Sequence, residues 1–136
     1  MKQIYSLSII TLLILISSCK KDNINPTGNN NANIDQRLVG KWEKQTFLGN
    51  NVSAIQETFN ANGTGTERTF DLNDGATQVT NDKTTTFTWF VKSAGVIRIK
   101  TQNNEEADIA FFITDNQSAL RLTLPNGNQI IFGRIN

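Results

Sequence analysis

From position 40 onward, apolar side chains recur at every second residue. Phe87, Trp89 and Val91 share one parity, as do Ile97 and Ile99, then Ile109, Phe111 and Ile113. Leu120, Leu122 and Leu124 follow, then Ile130 and Phe132, while Thr86, Thr88, Arg98, Lys100, Arg121 and Thr123 occupy the alternate positions. A period of two is the period of a strand with one face in water, and no helical periodicity here outlasts a turn or two. A slip of one residue would put each apolar set into solvent, so the register is well specified.

Turn residues cut this region into eight candidate strands: 40–48, 54–59, 64–71, 84–91, 96–101, 107–114, 119–124 and 129–135. Gly49-Asn50-Asn51, Asn60-Ala61-Asn62-Gly63, Asn73-Asp74-Gly75, Ser93-Ala94-Gly95, Asp115-Asn116-Gln117 and Pro125-Asn126-Gly127-Asn128 mark the breaks. Asn-Gly in the last accepts the positive φ that tight hairpins demand. Residues 76–82 read as a longer polar connection, and 34–38 as one short helical turn. Eight short strands in sequence leave two raw edges unless the sheet curls shut. The predicted fold is therefore all-β, an eight-stranded antiparallel up-and-down barrel over residues 34–136. An interior of that size either fills with side chains or holds one small ligand.

The barrel is preceded by two segments of other character. Residues 1–18 carry Lys2, an apolar run from Ile9 to Ile16 and two serines. This is the n-, h- and c-region layout of a secretory signal, and its apolar run is far below the ~20 residues that span a bilayer. The run ends in Ile16-Ser17-Ser18-Cys19, which resembles the bacterial lipobox. The resemblance implies that Cys19 is acylated and becomes the first residue of the mature chain, an anchor stable once two or three acyl chains are attached. Lys20-Lys21-Asp22 partly resembles the surface-export signal of Bacteroidetes lipoproteins. Residues 19–33, rich in Asn with Pro26 and Gly28, have almost nothing to bury and read as a disordered tether. As a coil it would hold the domain about 20 Å from the lipid.

Composition removes several functions. The chain has 136 residues, one cysteine, no histidine and a net charge of +1, part of which (Lys2) leaves with the leader. An internal disulfide, Cys/His zinc sites and His-based catalysis are excluded, and no basic stripe is present to hold nucleic acid. No cofactor, no metal and no enzymatic activity are expected.

Three motifs then carry a family resemblance: Leu38-Val39-Gly40-Lys41-Trp42, Phe59-Asn60-Ala61-Asn62-Gly63-Thr64-Gly65, and Thr88-Trp89. In these the chain resembles the lipocalin-like (calycin-type) small lipoproteins of Bacteroidetes, whose first strand opens on Gly-x-Trp. The resemblance implies that Gly40 and Trp42 sit at a closed barrel end and that Arg134 packs over the indole. Parity agrees independently, since Arg134 shares a face with Ile130 and Phe132.

Two sets of side chains are candidates for contact with other molecules. Phe87, Trp89, Ile97, Ile99, Ile109, Phe111, Leu120, Leu122 and Phe132 point inward; they line a pocket for a small apolar molecule or form a packed core, core being favoured in so short a barrel. Phe90, Phe112 and Ile131 point outward and would make an exposed apolar patch on neighbouring strands, suited to contact unless a loop covers it. Asp71-Leu72-Asn73-Asp74-Gly75 lacks the spacing of a calcium loop, and Glu105, Glu106 and Asp108 read as a solvated acidic loop. No two carboxylates are expected to meet in a way that serves acid–base work. The functional expectation is an outer-membrane lipoprotein of the cell envelope, held by its lipid anchor. It binds a small hydrophobic ligand or a protein partner, or has a filled barrel that acts through its loops as lysozyme-inhibitor lipoproteins do.

Overall fold

A computed structural model describes residues 33–73 and 78–136. The leader, Cys19 and the tether as far as residue 32 lie outside the described residues. Eight strands follow one another: β1 (Gly40–Leu48), β2 (Asn51–Phe59), β3 (Thr64–Leu72), β4 (Val79–Ser93), β5 (Val96–Thr101), β6 (Glu106–Ile113), β7 (Ala119–Thr123) and β8 (Gln129–Ile135). Each pairs antiparallel with the next, and β8 returns to β1, closing the barrel. The eight-stranded up-and-down barrel predicted from the alternation is the observed fold.

The alternation also decides what is inside. Trp42, Phe59, Trp89, Ile97, Ile109, Leu120, Leu122 and Phe132 are almost completely buried in one continuous cluster, to which Phe87, Ile99, Ile113, Leu124 and Ile130 belong. Phe111 packs against this cluster while remaining half-buried. Burying a single side chain of this size is worth about 1.5–3 kcal/mol, so the inward rows dominate stability. At 34–38 the expected helical turn is a lone hydrogen-bonded turn, Leu38 N–H to Asp35 O at 3.0 Å, with Leu38 driven fully into the core.

The largest departure from the sequence reading is β4, which starts at Val79 rather than 84. The supposed polar connection is strand with a bulge in it. The register between β3 and β4 shifts between Thr69 and Asp71, and Asn81 takes a φ of 53° there, a conformation that asparagine tolerates better than most residues. Asn81 Nδ2 donates to Asp71 at 2.7 Å, and the Arg68 guanidinium grips both carboxylate oxygens of Asp82. Polar residues on this stretch face water from a sheet, not from a loop.

Strand lengths are unequal, and this shapes the barrel mouth. Strand β1 pairs with β8 only at positions 41–43, and β4 pairs with β5 only from Phe87 onward. Beyond those points, among the described residues, β1–β4 continue as a four-stranded overhang. The opposite end is tight. At Gly65 an added Cβ would lie 2.3 Å from the Phe87 ring and 2.7 Å from the Thr58 carbonyl oxygen. Gly65→Ala is expected to lower stability by about 1–3 kcal/mol in chemical denaturation. A loss under about 0.5 kcal/mol, the range of an innocuous surface change, would show that the ring can simply move aside.

Candidate functional site

The closed end is held by a stack of three groups. Trp42 is fully buried and its indole N–H donates to the Leu38 carbonyl at 2.8 Å. Arg134, its partner on β8, lays its guanidinium 4.4 Å from the indole centre. The same guanidinium donates to three carbonyls: Gln117 at 3.0 Å, Val39 at 3.4 Å and Arg37 at 2.6 Å. It thereby ties the β6–β7 turn and the segment before β1 across the barrel end, and contributes a cation–π contact. Gly40 completes the arrangement. Its φ of 139° is open to glycine, and a Cβ would come within 3.2 Å of the guanidinium.

One row further in, the interior turns acidic. The cross-strand partners Trp42, Glu57, Glu67 and Thr85 form a continuous inward row over β1, β2, β3 and β4. Glu57 is 2% exposed and Glu67 3%. Contrary to the sequence reading, two carboxyls do meet, and they meet inside the barrel. Burial pushes the Glu57 carboxyl well above the ordinary carboxylate range, and the charge of Glu67 and a hydrogen bond to it push in the same direction. Glu57 is thus the proton holder of the pair and Glu67 accepts from it, since two adjacent desolvated carboxylates cannot both be charged cheaply.

Hydroxyls extend this polar quarter. Thr101, 6% exposed, stands opposite Phe87 on β5, and Thr85 lies one inward position away on β4. The Oγ1 atoms of both are buried with no hydrogen-bond partner among the described residues. Beside them is an aromatic trio: Phe59 meets Phe87 edge-on at 5.5 Å and Trp89 at 5.2 Å. The interior therefore joins an apolar wall from β4–β8 to a polar row on β1–β5. The next inward row, Lys44, Ile55, Thr69 and Lys83, already belongs to the overhang, so the acid pair lies one level inside the mouth.

The inward residues singled out for ligand contact are the core described above. The outward ones do not form one patch. Phe112 (54% exposed) and Ile131 (61%) flank Arg121, each being its cross-strand partner, and the Arg121 guanidinium lies 5.2 Å from the Phe112 ring. Phe90 (40% exposed) sits in a different row, separated by Arg98 and Asp108. Those two make a forked ion pair that Lys92 joins, and the two cations hold the Asp108 carboxyl down at about 2. Glu106 pairs with Arg98 and Lys100, and both it and Asp108 stand on β6, not in the expected acidic loop. The Asp71 turn lies partly outside the described residues, and among those described no three acidic, histidine or cysteine side chains are placed to hold a metal.

On the outer wall, Thr64, Thr66, Thr86, Thr88 and Lys100, together with Phe87 and Thr101, line a shallow concavity of about 490 Å³. Gln102 spans it by donating to Thr86 at 2.6 Å. In comparisons with known proteins the chain matches no family model, no curated protein and no solved structure.

Proposed function

We propose that this protein is a lipid-anchored, non-enzymatic, lipocalin-like binding module of the cell envelope, tethered to the outer membrane through Cys19, that takes a small largely apolar molecule into its barrel. The observation that carries this reading is the Glu57–Glu67 pair. A barrel selected only to be stable gains nothing from two buried carboxyls, since a hydrophobic pair of similar volume does as well or better. Titratable groups in such surroundings mark functional sites more often than chance placement would. The mouth left by the overhang provides the approach. Against catalysis stand the lack of histidine and the assignment of the sole thiol to the lipid.

A second reading, a filled barrel acting through its outer surface on a protein partner, is favoured by the Phe112–Arg121–Ile131 row, where two exposed apolar side chains flank an arginine. Mass spectrometry of the protein extracted from its own envelope under native conditions tests both. The expected result is an acylated Cys19 and a small molecule retained at one per chain. An unmodified Cys19 would remove the anchor. An empty barrel in every charge state, with a second protein retained in its place, would favour the surface reading.

A further inference from the structure

Phe112 and Ile131 are the most exposed apolar side chains on the β5–β8 side of the barrel. Arg121 stands between them as the cross-strand partner of both, its guanidinium 5.2 Å from the Phe112 ring. We infer that this wall is a membrane-contact surface. Its partner is an anionic lipid surface, the one that holds the Cys19 anchor, with Phe112 and Ile131 in the headgroup layer and Arg121 at the phosphates. This contact goes beyond ligand binding, though it rests on the lipid anchor of the reading above, and it gives the row an occupant other than a protein.

On a convex barrel wall, two apolar side chains can sink into a headgroup layer without needing a matching groove. Arg121, stacked on one of them, keeps its charge at the height of the phosphates while its stem follows the ring inward. Charge selects the lipid. Lys92 on β4 and Arg98, Lys100 and Arg121 on β5 and β7 stand against Glu106 and Asp108 of β6, and at the closed end exposed Lys41 offsets Asp115. This side is left positive, which complements an anionic surface once the two are within a Debye length.

The course of the chain decides which end meets the membrane. Val91 N–H donates to the Asn33 carbonyl at 2.7 Å, and Phe111 N–H donates to the Gly95 carbonyl at 2.8 Å. The chain therefore enters the barrel at the end where Phe112 lies. Residues 20–32 separate Asn33 from Cys19, and as a coil they reach about 20 Å. An anchor of that reach brings the closed end to the lipid first. The overhang, with its own outward apolar row of Phe47, Val52, Leu72 and Val79, then points away and leaves the mouth open.

The test places an indole at either end, Ile131→Trp or Phe47→Trp, both exposed positions whose substitution leaves the core untouched. Each acylated chain is extracted from its envelope and returned to vesicles of equal parts phosphatidylcholine and phosphatidylglycerol. Lipids brominated in the upper acyl chain quench an indole that enters the headgroup layer, and the wild type gives the background from Trp42 and Trp89. Quenching at position 131 is expected to exceed that at 47 by about fivefold. Arg121→Glu, or vesicles of phosphatidylcholine alone, is expected to lower it by about half while the protein still floats with the vesicles. Flotation with equal quenching at the two positions, with none at 131, or with quenching indifferent to charge, would overturn the contact and leave the anchor standing. A second protein cross-linked at 131 in the native envelope, with no quenching there, would give the row to a protein partner instead. A chain that does not float and carries no acyl group on Cys19 would overturn the anchor, and the contact with it.

Discussion

Trp42→Ala is expected to cost about 3–5 kcal/mol of stability, the range for deleting a large buried aromatic. Three losses combine. The indole is completely buried, so its removal leaves a void at the barrel end that the short segment from Asn33 to Val39 is poorly placed to fill. The Leu38 carbonyl loses its indole donor at 2.8 Å while remaining attached to a fully buried residue. The Arg134 guanidinium loses the ring it rests on and keeps only its carbonyl contacts. Urea denaturation followed by the emission of Trp89, which remains in the variant, measures the change. Trp42→Phe separates the losses: it restores most of the volume but not the hydrogen bond, and should recover more than half of the deficit. A loss below about 1 kcal/mol for the alanine variant would mean that the barrel end does not depend on the indole.

How far these features were legible depended on the strand. From Phe87 to Phe132 every strand has an apolar row on one parity and a row containing polar or charged residues on the other, so inside and outside could be told apart without coordinates even where Phe90, Phe112 and Ile131 interrupt the outer row. Two of those strand ranges (β5 and β8), and β1, coincide with the observed ones, and β6 and β7 differ by a single residue at one or both ends. β2 and β3 offered no such contrast. β2 carries Val52 and Ala54 on one parity and Ile55 and Phe59 on the other, so nothing local declares that Glu57 faces inward. The one available signal was Phe59: taking it as core puts Glu57, two residues earlier, on the same side. Pairing Glu57 with Glu67 then requires the β2–β3 register, which depends on the turn at 60–63 and on Gly65 lying under the Phe87 ring. The outer row shows the same limit. Parity put Phe90, Phe112 and Ile131 on one surface, but which of them lie abreast is decided by register, and register set Arg98 opposite Phe90 and Arg121 between the other two. The start of β4 was hidden for a different reason. Asn81 and Asp82 are turn-forming by composition, and a bulge uses that chemistry within a strand.

Mild acid is expected to stabilise the protein. The carboxyl of Glu57 titrates in the folded barrel well above its ordinary value of 4.5, first because it is desolvated and then because Glu67 lies beside it. Between those two values the folded chain holds a proton that the unfolded chain has released, so stability falls as pH rises through that window and is regained as pH falls back toward 4.5. One proton corresponds to a slope approaching about 1.4 kcal/mol per pH unit inside the window. Below 4.5 this contribution is flat. There a term of opposite sign enters, because Asp108 is held down to about 2 by Arg98 and Lys92 and its stabilisation is lost as pH falls from 3.8 toward that value. The Asp108 side chain is more than a third exposed, so solvent screens this second term and the gain from the interior pair should dominate the profile. Glu57→Gln should flatten the window and raise stability at neutral pH, whereas Glu67→Gln should only narrow it, because the desolvation of Glu57 remains. Denaturation midpoints measured at intervals from pH 4 to 8 decide the matter. A wild-type profile without the acid-side rise, or a Glu57→Gln profile that still shows it, would mean that the interior carboxyls are reached by water.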